Sequence, residues 1–125
     1  LLRWLRTPAP PADLRDPFLI KVFLGTALPV EDTLVLMRRQ MEEHQKVIAF
    51  SETVLRDRIA HAVEHEKFTT RHVLYWTLTL EMALAYRRAY VRWCEESMAL
   101  LESSLLDEPA VERPLDAEQT GRESA

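Results

Sequence analysis

Leu80-Glu-Met-Ala-Leu-Ala-Tyr-Arg-Arg-Ala-Tyr-Val-Arg-Trp93 is the centre of a longer stretch, Val73 to Leu105, whose reading decides the fold. Val73, Thr77, Leu80, Leu84, Arg87, Val91, Cys94, Met98, Leu101 and Leu105 step along it at alternating four- and three-residue intervals. That spacing is the seam of a long helix packed against other helices. Trp76, Ala83, Tyr86, Tyr90 and Trp93 form a second stripe at helical intervals, so the helix shows apolar surface on two sides. It needs two neighbours: one from the same chain and, in so short a protein, the other from a second copy.

Working outward, the sequence from Val30 to Glu108 contains neither glycine nor proline. Leu34, Met37, Met41, His44, Ile48, Ser51, Leu55 and Ala62 keep a heptad spacing, with Ile59 one place out of step, as a straight helix would drift. The pattern predicts one helix from Val30 to Glu66, roughly 55 Å long. The break falls at Lys67-Phe-Thr-Thr-Arg71, where Thr69 caps the next helix and Phe68 packs on Val73. The second long helix then runs to about Leu106. Two long helices joined by a short turn lie antiparallel.

Upstream, Asp16-Pro17 is a helix start and Gly25 the matching stop, giving a short helix of about two turns. Its Phe18, Leu19, Ile20, Val22, Phe23 and Leu24 require cover on most sides. Residues 1–6 read as the end of a helix that begins upstream, since the chain opens without methionine. Residues 7–15, with Pro8, Pro10 and Pro11, form a linker. The expected organisation is therefore a helix end (1–6), a linker (7–15), a helical domain (16–106) and a disordered acidic tail (107–125). The fold class is all-α: a short helix and two long antiparallel helices, pairing into a helical dimer.

The 125 residues carry a net charge of −4, but residues 107–125 hold six acids against two bases. The rest is balanced, so it exerts no general attraction on a polyphosphate and is a poor nucleic-acid binder alone. The single cysteine, Cys94, cannot form an internal disulfide, and no apolar run is long enough to span a bilayer. A cytoplasmic location is the resulting expectation, with no membrane contact.

Several constellations invite chemical readings. His61 and His65 stand i, i+4, near Glu64, Glu66 and His72, but without the further ligands of a zinc or di-iron site they are read as a solvated helix end, and no metal or cofactor is expected. Cys94 lies between Val91 and Met98 on an apolar seam, not in the electropositive setting that activates a thiolate. No glycine-rich phosphate loop exists. The chain is not expected to be an enzyme and no catalytic residue is assigned. Trp76, Tyr86, Arg87 and Tyr90 are the candidate ligand pocket. The plainer alternative pairs Arg87 with an acid on the facing helix, setting register as His44 and Ser51 do.

Four segments taken in order resemble a known family: Trp4-Leu5 before a proline linker, Arg15-Asp-Pro-Phe-Leu-Ile-Lys-Val-Phe-Leu-Gly25, Leu28-Pro-Val-Glu31, and Leu80 to Trp93. Together they resemble the C-terminal domain of PadR-type transcriptional regulators, of the virulence-activator-alpha kind. Ala83 stands where many relatives carry glycine. The resemblance implies an upstream winged-helix domain that binds DNA, and C-terminal helices that join two subunits and fix the spacing of the two heads. DNA would be contacted only through that upstream part, and a small aromatic effector is implied as a partner. The residues expected at the homodimer interface are Phe18, Leu19, Val22, Phe23, Leu34, Met37, Met41, Ile48, Leu80, Leu84, Val91 and Trp93. The alternative is a self-contained helical small-ligand binder or enzyme.

Overall fold

The computed structural model describes residues 1–65 and 68–107. The expected tail is represented by Asp107 alone, which closes the last helix; residues 108–125 lie outside the described residues. The elements are α1 (Leu2–Arg6), α2 (Pro17–Phe23), α3 (Val30–Phe50), α4 (Arg56–His61) and α5 (Thr70–Asp107), and no strand occurs among the described residues.

α2 begins as its sequence dictates. Asp16 is in extended backbone, its Oδ1 accepts the Phe18 amide at 2.9 Å, and Pro17 occupies the first helical position, where a missing donor costs nothing. Its end differs from the expectation. Gly25 is not a left-handed stop but opens a 3-10 turn, Gly25–Ala27, held by Ala27 N–H to Leu24 O (3.1 Å) and Leu28 N–H to Gly25 O (3.0 Å). The break belongs to this turn together with Pro29, which cannot continue the ladder.

The rod from Val30 onward is continuous but not uniform. Between α3 and α4 the chain makes a π turn, Ser51–Leu55, and beyond α4 it tightens into a 3-10 turn, Ala62–His65. Backbone angles stay right-handed helical through Phe50, Ser51, Leu55 and Arg56, so the axis carries on. A π turn holds one residue more than an α turn. This accounts for the displaced Ile59: Ile59 and Ala62 are half-buried while Arg58 is exposed. The one-place slip is a local insertion and not gradual helix drift.

α5 starts where Thr69 caps it, with Thr69 Oγ1 accepting the His72 amide at 3.4 Å. Phe68 packs edge-on against Trp76, ring centroids 4.8 Å apart, and against His72 at 5.8 Å. α3 and α5 run antiparallel, since Arg56 pairs with Glu81 while His44 meets Arg87 and Tyr90. The seam between them is closed inside the chain. Leu34, Met37, Leu80, Leu84, Cys94 and Met98 are buried, with Met37 and Leu84 each 1% exposed. α2 lies across the same core through Phe18, which meets Trp93 edge-on at 6.2 Å.

α2 is covered on one side only. Phe18 is buried and Leu19 and Val22 are half-buried, while Ile20, Phe23 and Leu24 face solvent. The expectation of cover on most sides is thus not met within one chain. α5 has a similar surplus, for Tyr75, Leu78, Met82 and Tyr86 are exposed. At about 100° per residue these four lie within a sector of about 80°, roughly opposite the seam.

Candidate functional site

The four residues expected to form a ligand pocket do not share one place. Trp76 packs with Phe68 and His72 near the start of α5. Tyr86, Arg87 and Tyr90 gather about three to four turns away around His44 of α3. Together with Asp16 and His44 those three build a partly buried polar chain across α2, α3 and α5.

The chain starts at Asp16. One carboxylate oxygen caps α2, and the other accepts the Tyr90 hydroxyl at 2.6 Å. The Tyr90 ring stacks on His44, centroids 3.9 Å apart and planes 21° from parallel. Arg87 lies 3.1 Å from His44 Nδ1 through Nη1, and because a guanidinium can only donate, Nδ1 is the acceptor. His44 is therefore neutral there, with its proton on Nε2. Tyr86 meets the imidazole edge-on at 6.3 Å.

Electrostatics agree with that assignment. Burial, and then the Arg87 charge, hold the His44 pKa below the usual histidine value of 6.5, against a weaker opposing pull from Asp16. Burial first, and the bond to Asp16 second, push the Tyr90 phenol up. Burial likewise raises the Cys94 thiol, which is closed inside the core. His61 shifts the other way: its Nδ1 meets the Asp57 carbonyl at 2.8 Å, which raises its pKa. The side chains of His65 and Glu66 lie outside the described residues.

Arg87 was expected either to line a pocket or to meet an acid on the facing helix. The acid contact belongs to its neighbour: Arg88 pairs with Glu52 of the π turn. Sequence reasoning flagged His44 and Arg87 separately as polar interruptions and missed that they face each other. A signal was present. Their midpoint falls at residues 65–66, beside the hairpin turn, so antiparallel pairing brings them level.

Because Asp16 serves two bonds, it joins α2 to α5. Asp16→Ala removes the cap and leaves a partly buried phenol without its acceptor. The expected loss is about 2 kcal/mol of stability, the sum of a cap and a charge-assisted bond, read by urea unfolding. A cost under about 0.5 kcal/mol would show that water replaces both bonds.

A concavity elsewhere on the fold went unread in the sequence. A groove of about 800 Å³ runs between the Gly25–Val30 turn and the C-terminal half of α5, with Val22, Leu28, Met37, Trp93, Leu101 and Leu105 on its walls. It exists because the turn at Gly25 carries the chain away from α5 before α3 returns to it. The sequence signal was the apolar surplus in Leu100, Leu101 and Leu105 at the end of a helix whose facing seam begins only at Val30.

The remaining expected interface residues divide by position. Leu34, Met37, Leu80 and Leu84 are used within the chain, Met41, Ile48, Val91 and Trp93 are half-buried, and Phe23 is open. Among the described residues no group of three or more His, Cys, Asp or Glu side chains is placed to hold a metal, and no helix is long and apolar enough to cross a membrane.

The architecture is an α-helical hairpin clasped by a short capped helix, with a buried histidine near its centre. The family model described as virulence activator alpha C-term matches residues 14–102, and the chain belongs to that family. Comparison with curated proteins and with solved structures gave no match.

Proposed function

We propose that this chain is the dimerisation and effector-sensing domain of a PadR-like transcriptional regulator, working with an upstream winged-helix head that contacts DNA. The observation that carries the reading is the unpartnered apolar surface: Ile20, Phe23 and Leu24 on α2, and Tyr75, Leu78, Met82 and Tyr86 on α5. The α5 set alone spans roughly 16 Å of helix at ~1.5 Å per residue. Single exposed apolar residues need no explanation, but two continuous faces on a small domain mark contact surfaces. A second copy supplies matching faces by symmetry, since a two-fold contact uses the same surface on both subunits.

The mechanism is geometric. Two joined hairpins hold two heads at a fixed separation, and a shift of α5 against α3 changes that separation and with it the fit to a two-part operator. Family membership supports this reading, as does a balanced charge that gives the helical body no general electrostatic attraction to DNA. The groove beside Trp93 suits a small aromatic effector, being mostly apolar with Thr26, Thr33 and Ser97 at hand to orient a polar group.

The test is operator binding by the chain carrying its upstream sequence, beside residues 1–125 alone. The longer protein is expected to bind operator DNA with a steep salt dependence, and residues 1–125 alone to show no binding. Equal binding, or none by either, would remove the regulator reading.

A further inference from the structure

The polar chain through the middle of the fold is built around a histidine that has to be neutral. His44 is 6% exposed, and its Nδ1 accepts a bond from a cation at 3.1 Å. A proton at Nδ1 would occupy the lone pair that Arg87 uses and set two positive charges side by side. We propose that His44 is a proton-operated latch: protonation releases Arg87 and loosens the grip of α5 on α3 and α2.

The charged and titratable groups facing His44 are few and come from every element packed on it. From α5 come Arg87, Tyr86 and Tyr90, with Cys94 next to Tyr90; from the start of α2 comes Asp16. On α3 itself the adjacent Glu43 is exposed and bonded to Lys46 at 2.8 Å. Asp16 is the one acid that would welcome a proton on His44, but it already accepts the Phe18 amide and the Tyr90 hydroxyl. Burial and Arg87 outweigh it.

Three elements meet at this point, so release has a definite consequence. Arg87 is half-buried and can move its head to solvent. The Tyr90 ring, stacked on the imidazole and tied to Asp16, then loses its support on one face. Trp93, whose ring is 5.4 Å from Tyr90, registers the change. The folded chain takes up a proton at His44 less readily than the unfolded chain. Its stabilising effect is therefore complete above about pH 6.5 and declines as pH falls through the lower folded value. His61, with its raised pKa, contributes with the opposite sign, so a whole-protein pH profile does not isolate the latch.

The latch lies within one chain, so it stands whether or not two chains pair. The experiment is an NMR titration of the histidine imidazoles in residues 1–125, run with thermal unfolding at about pH 7.5 and about pH 5.5. The expected result is a His44 midpoint below 6.5, with Arg87 and Trp93 side-chain signals moving at that same midpoint. His44→Asn presents an oxygen where Nδ1 stood and cannot be protonated. On acidification its melting temperature should fall by several degrees less than that of the wild-type chain. A His44 midpoint at or above 6.5, or Arg87 and Trp93 signals that ignore it, overturns the proposal. Equal acid-induced losses in the two proteins do the same. Should His44→Asn not fold, the wild-type titration alone decides.

Discussion

Leu84→Ala is expected to lower the stability of the fold by about 3 kcal/mol or more, and its melting temperature by about 10 °C. Leu84 is 1% exposed at the middle of the α3–α5 seam. Truncation there loses the transfer free energy of three carbons and leaves a hole that two long, stiff helices cannot close without bending. Val35→Ala is the control, because Val35 lies on the solvent side of α3 and its loss should change stability by less than about 0.5 kcal/mol. Circular dichroism melts of the two variants provide the comparison. Equal midpoints would mean that α5 does not close on α3 along this face.

The second large effect concerns association. Met82 is 70% exposed and Phe23 84% exposed in a single chain, so a charge at either position costs the isolated fold almost nothing. If a second copy covers these faces, Met82→Glu buries an unpaired carboxylate in the interface. The dimer should then weaken by about 100-fold or more, with the melting curve of the monomeric fold unchanged at low concentration. Separation of the two readouts is the point of the substitution. Loss of folding along with loss of pairing would place Met82 inside the chain's own core, contrary to its observed exposure.

Much of the fold was legible because its periodicities are long and uninterrupted. The alternation of fours and threes from Val73 to Leu105 returns as the line of buried residues Leu80, Leu84, Cys94 and Met98. Asp16-Pro17 and Thr69 act through local rules, and both caps occur as read. The π turn was not legible, because one inserted residue displaces Ile59 just as gentle helix drift does. Only the π turn at Ser51–Leu55 separates the two. Gly25 misled for a related reason: glycine favours a left-handed stop, but here the helix is already capped at Leu24 and Gly25 opens a 3-10 turn instead.

The site was legible as residues and not as an arrangement. Tyr86, Arg87 and Tyr90 were recognised as out of place on an apolar helix, yet nothing in their spacing says that Arg87 will meet a histidine instead of a carboxylate. That outcome depends on rotation of α3 about its axis, which the seam fixes only to within the width of its stripe. Trp76 was grouped with them by composition, and the length of α5 places it elsewhere. Asp16 was read as a cap alone; its second role with Tyr90 spans 74 residues and depends on where α2 docks.

In the proposed function this domain joins two copies of itself. The most direct measurement is the mass of residues 1–125 in solution, by light scattering on a size-exclusion column at micromolar concentration. The expected value is twice the 14.6 kDa of one chain, falling toward a single chain in Met82→Glu. A wild-type species that stays at 14.6 kDa across that range would contradict it, and leave the open faces of α2 and α5 without the partner assigned to them.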